Sequence, residues 1–535
     1  MALGVAVATA VLTLIPYWLG NLLTPDNLVY MQLIMNPEDA QTYWAKMLQG
    51  FDGAWLYTIP FTPEPHAAAG VGVFYVWLGQ LARGLGVSLT AVWHGSRFVA
   101  SIILFLTTFH FVAAFLADRR ARWTAYLLAI FGSGLGWLLF VLGQNFWLGA
   151  FPVDFKQPGA HLFFTALTFP HISLGTAVIL LDVLALNKIC APFSVVGNRW
   201  RWAVLAGLAN VILGSPIHFD LHCGGNGPHL HPSHHPTTPH FVANWLANRH
   251  HIPHPRTAVP LLFVRLAQQR SVPPVGCPGR YARRTVAPLP GCLWATAAAG
   301  RAVLVETTRK TAQFTILWLW IFTAALLLYS PAATATLHPG VHVPLAVLAA
   351  AGFVDIVLPR WQNGRFWQKL INHPRYTTPK LRRFVIIFLL GMSLSNIYLW
   401  LDVTRIAVLE QPDLLFRPAA EMEAINWLRE NGEKTAVLLG SYQTGNLVAA
   451  QAGQRVMLGH WAETVNFVAK ETAVNQFFAA DTSNTWRKTL LTDYSIDIVW
   501  YGPREEALGD FNPTTADFLT PAYQNDAVTI FYVLP

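Results

Sequence analysis

The feature that most limits what this chain can become is a set of eight apolar stretches, residues 4–23, 91–117, 122–143, 170–190, 201–218, 314–330, 341–358 and 384–401. Each is about long enough for a helix to cross the ~30 Å hydrocarbon core of a bilayer. The composition agrees: 53% of the residues are hydrophobic and 12% charged, roughly half the charged fraction of soluble domains. A soluble globular protein is excluded. The first stretch has no small-residue cleavage site after it and reads as a retained span.

Basic residues in short loops set orientation. Arg119, Arg120 and Arg122 lie in one loop, Lys188, Arg199 and Arg201 in another, and seven basic residues run between Arg360 and Arg383. These loops are expected in the cytoplasm, with the N-terminus. Residues 24–90 hold only Lys46 and Arg83, and 144–169 only Lys156, so both should face outward. The apolar run Val71 to Leu81 then has both flanks outside and reads as a helix lying on the outer leaflet.

The formal net charge of +8 comes from one place. Residues 221–305 contain eight Arg and no Asp, Glu or Lys; without those eight, 28 of the 36 basic residues remain, against 28 acidic. Ten of the 19 His fall between His218 and His254, and Cys223, Cys277 and Cys292 lie here too. A metal-binding tract, a basic disordered loop and a stretch read in the wrong frame are the alternatives. The frame error accounts for the missing Lys and acids, and parity favours it: residue 219 is expected outside and 313 inside, so one crossing is absent. With it the spans number about eight or nine and the C-terminus lies outside. No nucleic-acid partner is implied.

From Pro418 the chain carries 14 acidic and 7 basic residues and alternates in character. Helices are expected over Glu421 to Glu430, closed by Asn431-Gly432, and over Gly445 to Ala452, Val465 to Phe478 and Trp486 to Leu491. Strands are expected over Thr435 to Leu439, Arg455 to Leu458, Ile496 to Tyr501 and Val528 to Leu534. That order predicts a small α/β domain with a mostly parallel sheet. The expected fold class is therefore a polytopic α-helical membrane protein with a C-terminal extracytoplasmic α/β domain. Its parts are an N-terminal membrane module over 1–220 with the outer loop 24–90, the anomalous segment 221–310, further spans over 311–410, and the α/β domain over 418–535.

The first outer loop holds the most informative cluster. Asn36 suits an N-cap, Pro37 the first helical position, and Glu38 and Asp39 the positive end of a helix that Gly50 would stop. Acidic residues in a first turn are common for stability alone. Here they sit at the outer membrane surface with Tyr43, Trp44, Trp55 and Tyr57, where a lipid-linked substrate presents its head group. Within the spans, His110 and Asp182 lie at similar depth and read as a structural pair. In the α/β domain, Gly440 to Gly445 and Gly459 to Thr464 both follow strands, the usual place for ligand loops.

A first span, an outer loop opening on Glu38-Asp39, a surface helix ending in a Leu-Gly turn (Leu78-Gly79 and Leu85-Gly86), and Arg97 entering the next span resemble the GT-C glycosyltransferases. These are polytopic enzymes that use polyprenyl-phosphate sugars, among them protein mannosyltransferases and the aminoarabinose transferase of lipid A. The resemblance implies that Asp39 takes the place of the catalytic acid, as base toward the acceptor hydroxyl or to orient it. It implies a second acidic position near a metal or the donor phosphate, where this chain has His171, with Asp154 as the carboxylate that could replace it; His171 as a plain helix cap is the other reading. Glu38 would share the donor phosphate or metal, so a divalent metal is the cofactor the resemblance allows. Tyr43, His460, Trp461 and Glu463 would meet the acceptor or sugar, His460-Trp461 lying where the oligosaccharyltransferase catalytic subunit has its aromatic motif, although Trp-Trp-Asp itself is absent.

The expected activity is hexosyl transfer from a polyprenyl-phosphate donor to an extracytoplasmic acceptor at the plasma membrane, with donor and membrane lipid as partners. The alternative is a non-catalytic membrane protein that binds or moves lipid-linked glycans.

Overall fold

The structure is a computed structural model that describes residues 1–70, 72–144, 146, 151–190, 196–212, 313–328, 339–357 and 391–534. The anomalous segment 221–305, the basic loop from Arg360 to Arg383 and the start of the last predicted span lie outside the described residues. In chain order the helices are α1 (Ala2–Leu22), α2 (Pro37–Phe51), α3 (Val73–Leu85), α4 (Leu89–Phe115), α5 (Arg119–Phe131), α6 (Gly136–Val141), α7 (Val153–Lys156), α8 (Leu162–Leu167), α9 (Pro170–Cys190), α10 (Val196–Ile212), α11 (Gln313–Leu328), α12 (His342–Gly352), α13 (Leu394–Arg405), α14 (Ala419–Asn431), α15 (Tyr442–Gln451), α16 (Phe467–Phe478), α17 (Asn484–Asp493) and α18 (Pro503–Glu506). The strands are β1 (Leu28–Tyr30), β2 (Phe416–Pro418), β3 (Val437–Leu439), β4 (Arg455–Val456), β5 (Ile498–Tyr501), β6 (Leu519–Gln524) and β7 (Thr529–Val533). Among the described residues, α1, α4 and α9 are long and apolar enough to cross a membrane. The protein is thus a polytopic α-helical membrane protein with a C-terminal mixed α/β region.

Two compact units divide the chain: one takes residues 1–14 and the described residues from 96 to 402, the other 15–95 and 403–534. The first is a helical bundle whose core includes Leu104, Phe111, Ala125, Ile130, Leu317 and Val347. The stretch expected as one span over 122–143 is broken here into α5 and α6. Gly132 leaves the helix in an extended conformation, and Ser133 donates its N–H to the Met392 carbonyl (2.9 Å) instead of continuing the ladder. The α6 start is then held by Asp154, whose Oδ2 accepts from the Gly136 N–H (2.8 Å) and the Ser395 hydroxyl (2.6 Å). Buried Arg97 donates to the carbonyls of Leu167 and Thr168 (both 2.8 Å) and, at 3.4 Å, Ala166. It thereby caps the C-terminal end of α8, where carbonyls lack partners and the helix dipole favours a cation. His110 is exposed on α4 and Asp182 half-buried on α9, and no bond between the two is recorded among the described residues.

The second unit is built on a five-stranded sheet of order β4-β3-β5-β7-β6. The pairs β4–β3 and β3–β5 are parallel, while β5–β7 and β7–β6 are antiparallel, so the sheet is mixed and not mostly parallel. After β5 the chain forms α18 and a 3-10 turn at Pro513–Thr515 and then returns as the β6–β7 hairpin, whose β7 lies antiparallel to β5. Alternating side chains fill two cores. Leu438, Ile498, Trp500 and Ile530 face α14 and α15, whereas Val437, Leu439, Val499 and Phe531 face α16 and α17. The first of these cores also takes in Met31, Ala45 and Phe61 from the outer loop, and β1 pairs antiparallel with β2. The outer loop and the C-terminal region thus share one hydrophobic interior, and burial at about 25 cal/mol per Å² of apolar surface holds them together.

Candidate functional site

Helix α2 carries the acidic pair of the outer loop. Asn36 stands at the N-cap position, its carbonyl accepting from the Ala40 N–H at 3.0 Å, Pro37 opens the helix and Glu38 and Asp39 occupy its first turn, as expected, but Asn36 adopts a left-handed conformation (φ 47°, ψ 60°) and its side chain makes no capping bond. Its amide Nδ2 donates to Asp39 Oδ2 instead. Gly50 does not stop the helix, which runs on to Phe51. Its missing side chain serves packing, since a Cβ there would lie 1.9 Å from the Val76 carbonyl oxygen of α3, and a Cβ on Gly79 would lie 1.9 Å from that of Met47. Of the two Leu-Gly pairs, only Leu85-Gly86 ends a helix, with Gly86 at φ 65°. Helix α3 buries Tyr75, Val76 and Ala82 and exposes Trp77, Leu81 and Leu85.

Against α2 lies the turn that follows β4. His460 Nε2 stands 3.1 Å from Asp39 Oδ1. With Asp39 ionised, this bond uses the Nε2 proton, and a neutral imidazole then leaves Nδ1 as an acceptor. His460 Nδ1 is buried and has no hydrogen-bond partner among the described residues. The Tyr442 hydroxyl, at the start of α15, lies 3.4 Å from Glu38 Oε2. Burial pushes the Glu38 carboxyl above its ordinary value; the Asp39 charge adds to this, while His460 and Tyr442 oppose it. Burial, with the Glu38 charge, also raises the Tyr442 phenol.

Two turns along α2, buried Lys46 pairs with Glu463 Oε1 at 3.1 Å, and Tyr57 donates to Glu463 Oε2 at 2.5 Å. The Lys46 ammonium also lies over the rings of Tyr43 (5.2 Å) and Tyr57 (4.9 Å), and Tyr43 stacks on Tyr75 at 4.4 Å. Trp461 is 39% exposed, its ring 5.8 Å from that of His460.

Of the residues singled out from sequence, Glu38, Asp39, Tyr43, His460, Trp461 and Glu463 thus fall in one unit around α2. Asp154 and His171 belong to the other unit, where Asp154 holds the start of α6 and His171 is buried against Phe169 (ring centroids 5.6 Å). Tyr442 and the partnership of Lys46 and Tyr57 with Glu463 were not anticipated. Lys46 could have been, since it lies at i+7 from Asp39 on the same helical face. Among the described residues no group of three or more His, Cys, Asp or Glu side chains is placed to hold a metal ion. The site as described does not supply a ligand set for one. What it offers is a carboxylate held by donors on both oxygens, a histidine with one open nitrogen, and a second carboxyl that burial pushes above its ordinary value beside them.

No protein-family model matches the chain, and no curated protein matches it. Among solved structures it is similar to the apo oligosaccharyltransferase of Archaeoglobus fulgidus, with 15% identity and a TM-score of 0.47 over 94% of this chain and 69% of that one. It is similar to apo ArnT from Cupriavidus metallidurans at 10% identity and a TM-score of 0.47, over 99% and 98%. A third likeness is to the arabinofuranosyltransferase AftD from Mycobacteria, at 14% identity and a TM-score of 0.48, over 98% of this chain and 41% of that one. At TM-scores below 0.5, none of these likenesses assigns an activity.

Proposed function

We propose that the protein is a membrane glycosyltransferase that moves a sugar from a polyprenyl-phosphate donor to an extracytoplasmic acceptor. The observation that carries this reading is the contact of Asp39 Oδ1 with His460 Nε2 at 3.1 Å, beside the second carboxyl Glu38, on a loop whose neighbouring helix α3 exposes Trp and Leu. In this reading the acceptor hydroxyl oxygen attacks the anomeric carbon. The bond from that carbon to the phosphate oxygen breaks, its electron pair leaves with the polyprenyl phosphate, and the hydroxyl proton passes to Asp39. The configuration at the anomeric carbon inverts. A general base of this kind contributes roughly 10²–10⁴-fold. His460 and Asn36 fix the carboxylate, and Tyr43 and Trp461 are the surfaces offered to sugar or acceptor. Glu38, whose carboxyl burial pushes above its ordinary value, is assigned to the donor phosphate side.

The test is transfer of label from radiolabelled polyprenyl-phosphate hexoses in proteoliposomes. Release of polyprenyl phosphate, with label arriving in an acceptor fraction, is expected for the intact chain. Asp39→Asn should lose at least ~100-fold of that rate. Full activity in the Asn variant would overturn the reading.

A further inference from the structure

We propose that Lys46 and Tyr57 are positioning residues which, by holding the Glu463 carboxylate, fix the turn over residues 459–464 so that His460 meets Asp39. The inference rests on the glycosyltransferase reading for its kinetic readout, but its geometry is independent of that reading.

Two rigid pieces meet at two points. On α2, Asp39 and Lys46 are seven residues apart, two turns on one face and about 10 Å along the axis. On the turn, His460 and Glu463 are three residues apart, and the His460 carbonyl accepts the N–H groups of both Glu463 and Thr464 (2.9 Å each). The turn is therefore a single closed unit that moves as one. One contact, His460 to Asp39, is the functional one; the other, Glu463 to Lys46, is an ion pair between side chains that are 18% and 3% exposed. An ion pair so withdrawn from water, with Tyr57 bonded to the second carboxylate oxygen at 2.5 Å, constrains position far better than an exposed pair does. Thr464 adds a hinge pin, donating to the Phe61 carbonyl at 2.8 Å and accepting from the Gly459 N–H at 3.1 Å. On the far side the turn is held by one further bond, from the Val465 N–H to Thr62 Oγ1 at 3.3 Å, while Trp461 and Ala462 are exposed. Releasing Glu463 would leave the turn pivoting on Thr464 and Val465, and His460 would lose its aim. A misplacement of about 1 Å at a reacting centre can cost ~100-fold in rate.

The experiment uses the full chain in the labelled-donor assay. Lys46→Met is expected to lower kcat about 10- to 100-fold with the donor KM within about twofold of the parent. Lys46→Arg, which can still reach the carboxylate, should recover most of the loss. So should the exchange Lys46→Glu with Glu463→Lys relative to either single change. Tyr57→Phe keeps the ring and removes one bond, and a threefold to tenfold loss of kcat is expected, on the scale of one hydrogen bond; it decides the matter if Lys46→Met does not fold. Parent kcat in both Lys46→Met and Tyr57→Phe, while Asp39→Asn is inactive, would overturn the clamp and leave the glycosyltransferase reading standing. A raised donor KM with unchanged kcat would also overturn it, because Lys46 would then be binding donor directly. An active Asp39→Asn variant would instead sink the reading of the site itself.

Discussion

Tyr442 reaches Glu38 across 3.4 Å from a different part of the chain, joining the first turn of α15 to the first turn of α2. Both groups are pushed toward their protonated forms by burial. A carboxyl whose folded-state pKa is raised binds its proton more tightly in the folded chain than in the unfolded one. Its contribution to stability is therefore complete below the ordinary value of 4.5 and is lost as pH rises through the raised folded value. Glu38→Gln keeps a partner for Tyr442 and removes the charge. Its thermal midpoint in detergent should exceed the parent's at pH 8 by about 2–4 °C, the change that ~1 kcal/mol gives in a domain of ~200 residues, and the gap should close toward pH 4. Parallel midpoint curves across that range would contradict the assignment.

His460 gives a prediction separable from the Asp39 test. His460→Ala removes the donor to Asp39 Oδ1, and transfer is expected to fall about 10- to 100-fold with little change in thermal midpoint. A variant with unaltered kcat would remove His460 from the mechanism.

Arg97 is predicted to matter for stability. Arg97→Met would leave the carbonyls of Leu167 and Thr168 without their buried donor, a loss of roughly 2–4 kcal/mol. Arg97→Lys should recover only part of it, because a single ammonium does not match the fork that spans successive carbonyls. Thermal unfolding followed by size-exclusion chromatography measures both; equal midpoints for all three proteins would refute the capping role.

Gly79 tests the contact between α2 and α3. A methyl group there would meet the Met47 carbonyl at 1.9 Å, so Gly79→Ala must push the helices apart at a cost of about 1–3 kcal/mol. Transfer should fall as well, since α2 carries Asp39. Unchanged midpoint and activity would show that the two helices are less tightly joined than described.

The elements legible in the sequence were those with strong local signals. The Pro37-Glu38-Asp39 start of α2, the apolar lengths of α1, α4 and α9, and the continuous apolar runs of strands β3 and β5 are of this kind. Strand β6 was missed because Leu519–Gln524 contains Pro521 and lies mostly exposed at the sheet edge, which erases the period of two. Gly50 and Gly79 read as helix ends because a glycine's local signal is the same whether it stops a helix or admits a neighbour's backbone. The site itself was half visible. Asp39 announced itself by charge and place, but its partner lies 421 residues away, and no periodicity in the sequence connects the two.

That separation has a consequence for how the protein is made. At about 5–20 residues per second, Asp39 leaves the ribosome roughly 20–80 s before the His460 that sits 421 residues later. For that interval Ala45 and Phe61, which end in the same interior as Leu438 and Val456, have no sheet to cover them. The outer loop must wait, apolar side chains uncovered, until β3, β4, β5 and β7 have been made. Any factor that shields such a surface during insertion would act on this loop first, and a chain that stalled before residue 437 would present it permanently.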